Sequence, residues 1–121
     1  MPELHKLTPA LGVLQDKGFA VALVTDGRMS GASGKVPAAI HITPECANGG
    51  MLGKVKDGDI IQLKTTSGEL NVLKEDTEWQ SRDQIPHIEQ LNETDGRILF
   101  SNMRTTVSSA ETGALSLFDP T

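Results

Sequence analysis

The sequence contains a single cysteine, Cys46, among 121 residues. One thiol excludes a disulfide within the chain and is typical of a cytosolic protein. Aromatic residues make up only 3% of the sequence, so a core has to be built from aliphatic side chains. The formal net charge of −5 argues against a nucleic-acid surface, because no basic stripe is available to neutralise phosphates.

Long apolar runs are missing as well. No stretch approaches the roughly 20 residues that a membrane helix needs, and the first residues lack the apolar core of a signal peptide. The length suits one domain with a modest core. The sequence therefore predicts a single cytoplasmic domain over residues 1–121, with neither a membrane nor a nucleic acid as its partner.

The apolar spacing predicts helices and strands in the first third of the chain. Leucines three and four residues apart predict a helix over residues 2–17, interrupted or bent near Thr8 because Pro9 follows. Two short runs of small and branched apolar residues, 20–24 and 37–42, are typical of buried strands.

Later segments add a second group of elements, and the whole pattern indicates a fold of mixed α and β class. The predictions are a helix start capped by Thr43, a hairpin of residues 60–63 and 70–73 around Gly68, a helix over 98–104 and a strand over 114–118. The polar stretch over 74–94 favours a surface segment or part of an interface.

A polar loop with three glycines, residues 25–35, follows the first predicted strand. Such a loop at the carboxyl end of a buried strand is a typical ligand site in α/β proteins. It is not a Walker A loop, because Met29 stands at the first glycine position and Val36 follows Lys35. It is not a nucleophile elbow either, because Lys35 replaces the second glycine. From these residues alone, a tight turn with polar side chains stays an alternative.

The loop sequence resembles a specific family. Thr25-Asp-Gly-Arg-Met-Ser-Gly-Ala-Ser-Gly34 is similar to the signature near the C-terminus of the dihydroxy-acid dehydratases and 6-phosphogluconate dehydratases. The continuation Lys35-Val-Pro-Ala-Ala-Ile-His41, then Thr43-Pro-Glu45, resembles the 6-phosphogluconate dehydratase branch. The similarity is strong from residue 1 to about residue 73 and looser beyond.

The resemblance implies the C-terminal domain of a longer hydro-lyase. This fragment would have a barrel-like β core flanked by helices, similar to the swivelling β/β/α domain of aconitase-type enzymes. The full-length homodimer would convert 6-phospho-D-gluconate to 2-dehydro-3-deoxy-6-phospho-D-gluconate and water, in the Entner–Doudoroff pathway of gluconate metabolism. The isolated chain is expected to be inactive.

Two alternatives stay open. The chain could be the corresponding domain of a dihydroxy-acid or other sugar-acid dehydratase, or a stand-alone module that binds phosphate or another small ligand.

The resemblance also implies two cofactors, a 4Fe-4S iron–sulfur cluster and Mg²⁺. A cluster needs several thiolate ligands, so its cysteines are expected in an N-terminal cluster-binding domain of the same enzyme. Glu3, in a Met-Pro-Glu segment, matches the family's Mg²⁺ ligand. Carboxylate oxygens suit this cation, but Glu3 alone is expected to bind it weakly or not at all.

By the same resemblance, Ser30 matches the serine that acts as an alkoxide base in the family. It would take the proton from carbon 2 of the sugar acid while the carbon 3 hydroxyl leaves on the cluster iron. A serine can do this only where positive charge or N–H groups stabilise its alkoxide. The alternative for Ser30 is a turn serine that bonds its own backbone.

The remaining candidates surround this serine. Arg28, Ser33 and Lys35 are candidate contacts to the phosphate or carboxylate of the substrate. Asp26 is expected to order the loop through a bond to its own backbone. Structural roles are predicted for three further residues: His5, His41 and Cys46.

Overall fold

The computed structural model describes residues 2–29, 34–85 and 94–117, except for the side chains of residues 2, 3 and 5. Four helices are present in this part: α1 Pro2–Asp16, α2 Asp76–Ser81, α3 Asp95–Leu99 and α4 Ser101–Thr106. Four strands accompany them: β1 Leu23–Val24, β2 Ala38–Ala39, β3 Ile61–Lys64 and β4 Glu69–Val72. Three short 3-10 turns complete the elements, at Cys46–Asn48, Met51–Lys54 and Ala110–Thr112.

The first helix forms where the leucine spacing predicts it, one residue shorter at its end. Pro9 lies inside α1, and the helix continues past it to Asp16. Lys17 still bonds back to the carbonyl of Val13 at 3.2 Å, and Gly18 then turns the chain with a φ of 89°. A left-handed glycine at this point is the usual end of a helix.

The strands form two separate sheets. In the first, β1 and β2 run parallel, with Leu23 opposite Ala38. In the second, β3 and β4 form the predicted antiparallel hairpin, and Gly68 takes a left-handed φ of 71° in its turn. The mixed α and β class is confirmed.

The barrel-like β core expected from the resemblance does not appear in the described ranges. Each of the two sheets there has two strands, and neither closes into a barrel. A barrel needs strands that are hydrogen-bonded around a full ring. The two runs predicted to be strands, 20–24 and 37–42, are paired over only two residues each. The first run ends at the glycine-rich loop, and the second ends at a turn.

Two local predictions are wrong. Thr43 does not cap a helix, because the turn after it begins at Cys46 and follows Glu45. Residues 114–117 do not form a strand, since Leu115 bonds instead to the backbone and hydroxyl of Ser108 at 2.9 and 3.0 Å. The predicted helix over 98–104 occurs as two helices, which meet at Phe100.

Apolar burial is sparse. Leu23, in the parallel sheet, is the one buried hydrophobic side chain among the described residues, at 8% exposure. Aliphatic side chains from β1, the Met51–Lys54 turn and the hairpin, together with Trp79, line a cavity of about 320 Å³, which is also lined by Asn71, Lys74 and Asp76. This cavity is the space around which the hairpin, α2 and the loop segments meet.

An ion-pair network joins the hairpin region to α2. The Arg82 guanidinium donates to both carboxylate oxygens of Asp59, at 2.6 and 3.1 Å. The Lys56 amide donates to the same carboxylate at 2.8 Å, and the Asp59 side chain is only 4% exposed. The Arg82 bonds, then the Lys56 amide, hold the pKa of Asp59 well below its usual range. Such a bidentate, shielded pair contributes more than an exposed one.

Replacing Asp59 by asparagine is expected to lower the melting temperature at neutral pH by several degrees. An amide cannot neutralise the Arg82 charge, which would keep, among the described residues, only its single ion pair with the exposed Glu78 carboxylate at 3.0 Å. Because the folded pKa of Asp59 lies below the unfolded one, its contribution is complete above the unfolded value and is lost as pH falls through the folded value. The difference between the two proteins should therefore shrink below about pH 4.

Thermal melts of both proteins between pH 7 and pH 3 measure this difference. Asp57→Asn is the matched control, because Asp57 is an exposed carboxylate in the same turn and should change the melting temperature little. A melting-temperature difference that is constant across this pH range would contradict the assignment.

Candidate functional site

The glycine-rich loop begins where β1 ends, and its first residues run alongside the segment that follows β2. The Thr25 amide donates to the Ala39 carbonyl at 2.9 Å, and the Ile42 amide donates back to Thr25 at 3.3 Å. The His41 amide donates to the Gly27 carbonyl at 3.0 Å. Three backbone bonds thus hold the loop start against residues 39–42.

Two side chains order the loop start further. The Thr25 hydroxyl accepts a hydrogen bond from the Gly27 amide at 3.0 Å, which makes a tight turn. The Asp26 carboxylate does not bond its neighbours as expected; its Oδ2 accepts from the Cys46 amide at 2.8 Å, 20 residues away. The Thr-x-Gly pattern is a signal that would have indicated the Thr25 turn, whereas no sequence signal identifies Cys46 as the partner of Asp26.

Glu45 makes a long-range contact that sequence reasoning missed. Its Oε1 accepts a hydrogen bond from the Ala110 amide at 2.6 Å, and its Oε2 accepts from the Asn48 side chain at 3.2 Å. The hydrogen bond from the Ala110 amide is the main reason why the pKa of Glu45 lies below its usual value. The carboxylate therefore links the turn after the loop region to a turn near the end of the described chain.

Lys35 lies against the last turn of α1. Its Nζ pairs with Asp16 Oδ2 at 2.7 Å, and its carbonyl accepts from the Gln15 side chain at 2.7 Å. Both charged side chains are about half exposed, 49% for Lys35 and 63% for Asp16. Arg28, the other predicted cationic contact, is exposed. Both cations are thus accessible at the two ends of the loop.

Three further predicted site residues are Ser30, Ser33 and Glu3. Ser30 and Ser33 lie outside the described residues. Glu3 lies in the first turn of α1, but its side chain is also outside the description. The roles of these three residues stay predictions.

His41 and Cys46 both donate a backbone amide to the loop start, His41 to the Gly27 carbonyl and Cys46 to the Asp26 carboxylate. His41 is exposed and takes a left-handed φ of 56°, a conformation that histidine adopts more readily than most residues. Cys46 is half-buried, and burial, followed by the Asp26 carboxylate, raises its pKa to about 11. The thiol is therefore protonated near neutral pH and is a poor nucleophile or metal ligand.

An iron–sulfur cluster does not fit the residues of this chain. A cluster needs several thiolates, and the chain offers one cysteine, whose pKa is raised. Within the described ranges, no group of three His, Cys, Asp or Glu side chains is arranged to hold a metal ion. Those ranges also contain no helix with the length and apolar character needed to cross a membrane.

Comparisons with known proteins find relatives over nearly the whole sequence. The family described as dihydroxy-acid/6-phosphogluconate dehydratase C-terminal matches residues 1–114. The phosphogluconate dehydratase of Pseudomonas aeruginosa is 61% identical over 116 residues, which cover 96% of this chain and 19% of that protein. The phosphogluconate dehydratase of Escherichia coli K12 is 56% identical over 117 residues, 94% of this chain and 19% of that protein.

A relative with another name matches over a shorter range. The dihydroxy-acid dehydratase of Campylobacter fetus is 48% identical over 83 residues, 67% of this chain and 15% of that protein. The chain spans about a fifth of the length of the phosphogluconate dehydratases that it matches.

Proposed function

Because the chain belongs to the dihydroxy-acid/6-phosphogluconate dehydratase family, as its C-terminal domain, we propose that it forms this domain of an enzyme that dehydrates 6-phospho-D-gluconate. The product would be 2-dehydro-3-deoxy-6-phospho-D-gluconate, an intermediate of the Entner–Doudoroff pathway. The observation that supports this substrate is the higher identity, over a larger share of the chain, to the phosphogluconate dehydratases of P. aeruginosa and E. coli than to the dihydroxy-acid dehydratase of C. fetus.

The reaction removes a proton from carbon 2 and a hydroxide from carbon 3, which leave together as water. Ser30 is the residue proposed to accept the proton from carbon 2. Its alkoxide would be stabilised by the backbone N–H groups and the cationic side chains of its own loop. The backbone bonds and the Asp26 carboxylate that fix the loop start support this assignment, because a base must be held in place to act.

Substrate binding is assigned to Arg28, Ser33 and Lys35. Two of these side chains are cations in sequence positions on either side of Ser30, and a substrate with a phosphate and a carboxylate carries two anionic ends. Lys35 pairs with Asp16 in a half-exposed ion pair, which is the weak kind that a phosphate can replace.

The rest of the enzyme has to supply the cluster, since this chain brings a single thiol of raised pKa. The role of Glu3 as one carboxylate ligand of Mg²⁺ is supported by the family resemblance alone. The same resemblance supports a swivelling domain with a barrel-like core, a homodimer and a cytoplasmic location.

An assay of the full-length enzyme tests the proposed function. Formation of the 2-keto acid product is followed with 6-phosphogluconate and with a 2,3-dihydroxy acid that lacks the phosphate. We expect kcat/KM to favour 6-phosphogluconate by more than about 100-fold, because a site built around a phosphate leaves charged groups unpaired when that phosphate is missing.

The 121-residue chain alone is the control in this assay and should dehydrate neither compound. Preference for the dihydroxy acid would favour the other branch of the family. Turnover by the chain alone would contradict its assignment as one domain of a larger active enzyme.

A further inference from the structure

Two carboxylates in this structure each serve the first amide of a distant 3-10 turn. Asp26 accepts from the amide of Cys46, which begins the turn Cys46–Asn48. Glu45 accepts from the amide of Ala110, which begins the turn Ala110–Thr112. The amides that open a helical turn have no partner within it, and an acceptor there stabilises the turn.

The capping is supplied at long range in both cases. Among the described residues, neither turn has a backbone amide capped by the side chain of the residue that directly precedes it, Glu45 or Ser109. Asp26 reaches across 20 residues and Glu45 across 65 residues. Each carboxylate therefore fixes the position of one segment against another as well as satisfying an amide.

The two bonds are connected through adjacent residues. Cys46, held by Asp26, directly follows Glu45, which holds Ala110. The backbone at Glu45 is itself fixed, because its carbonyl accepts from the amides of Asn48 and Gly50 at 2.8 and 2.9 Å. We therefore expect a displacement at one end of this line of hydrogen bonds to displace the other end as well.

The near end of the line is the start of the glycine-rich loop. Asp26 lies between Thr25 and Gly27, whose backbones are bonded to Ile42 and His41. It also lies four residues before Ser30 in the sequence. The far end is the segment 108–116, which is closed on itself by the bond between the Ser108 amide and the Leu115 carbonyl at 2.9 Å.

We propose that Asp26 and Glu45 act in series as positioning residues, which couple the segment 108–116 to the start of the loop that carries Ser30 and thereby support turnover. The inference rests on the proposed function only through Ser30. Neither carboxylate is a catalytic residue, because each acts through the backbone amide that it fixes. The negative charge of Glu45 strengthens its hydrogen bond with the Ala110 amide, which fits this role. The same amide lowers the pKa of Glu45 and so keeps the carboxylate ionised.

The test uses the full-length dehydratase with Asp26→Ala, Glu45→Ala and the double variant. Each single change should lower kcat by about 10- to 100-fold, because small misplacement of a reacting group has effects of this size. KM should stay within about twofold, since substrate contacts are not removed. The double variant should be about as active as the worse single one, because both changes break the same line.

Two further variants separate positioning from general stability. Glu45→Gln should recover a large part of kcat, because its amide oxygen can still accept from Ala110. Glu111→Ala is the matched control, an exposed carboxylate on the receiving turn, and should leave kcat unchanged. Should an alanine variant fail to fold, Asp26→Leu paired with Glu45→Leu repeats the cycle with larger side chains that cannot accept the two amide hydrogen bonds.

Hydrogen exchange gives a readout that needs no activity. In Asp26→Ala, the amide of Ala110 should exchange faster, although its own acceptor Glu45 is intact. Two results would overturn the proposal that Asp26 and Glu45 act in series. One is an unchanged exchange rate of the Ala110 amide in Asp26→Ala, and the other is a double variant whose kcat loss is the product of the two single losses. An inactive wild-type enzyme would count against the proposed function alone, because the exchange measurement would still decide whether the two carboxylates are coupled.

Discussion

Ser30→Ala in the full-length dehydratase is expected to lower kcat by about 100- to 10,000-fold, the range associated with loss of a general base. Alanine removes the hydroxyl that is proposed to take the proton from carbon 2. The proposed cluster should be unaffected, because a chain with one thiol is not expected to supply its ligands. Steady-state turnover of 6-phosphogluconate and the visible absorbance of the cluster measure the two quantities on the same sample.

Ser67→Ala is the control for this change. Ser67 lies exposed in the turn of the β3–β4 hairpin, so its loss removes a hydroxyl of the same kind from a site without a proposed role. Turnover close to wild type in Ser30→Ala would remove this serine from the mechanism. Loss of the cluster absorbance would instead assign the effect to cofactor retention.

Gly50→Ala is expected to reduce the free energy of unfolding by about 3 kcal/mol or more. A Cβ at this position would lie 1.8 Å from the carbonyl oxygen of Pro44 and 2.8 Å from the carbonyl carbon of Glu45. Both neighbours are backbone atoms and cannot rotate away. Gly50 is held in place on both sides, because its amide donates to Glu45 and its carbonyl accepts from Gln84, each at 2.9 Å.

This effect is steric, and the control isolates it. Gly50 has a φ of −61°, which any residue can adopt, so backbone strain plays no part. Gly96 in α3 has no described atom within 4 Å of a built Cβ, and Gly96→Ala should raise stability slightly because alanine favours a helix. Thermal or denaturant unfolding compares the two variants, and equal stability of both would show that the segment at Pro44 yields to the added methyl group.

The elements with strong local signals were predictable from the sequence. Leucine spacing and the glycine after Lys17 define α1 closely, and the glycine at position 68 marks the hairpin turn. These features depend on residues within one or two turns of each other, so a local pattern contains the information. The family resemblance, carried by the loop after β1, identified the protein family that the comparisons support.

The long-range connections were not predictable. Asp26 was expected to bond its own backbone, but it caps a turn 20 residues later. Thr43 and Pro44 have the composition of a helix start, yet the turn begins at Cys46, where Asp26 and not Thr43 supplies the acceptor. Both observations concern the Cys46 amide, whose acceptor is set by a tertiary arrangement that the local sequence does not encode.

The sparse burial around Leu23 has a thermodynamic consequence. Both the heat-capacity increment of unfolding and the dependence on urea scale with the surface that unfolding newly exposes. Since the described part of the chain already exposes large side chains such as Phe19, Ile60 and Leu99, with exposed fractions of 60%, 64% and 75%, both quantities should be small for a chain of this length. Its stability curve would then be shallow, with a broad melting transition and little response to cooling.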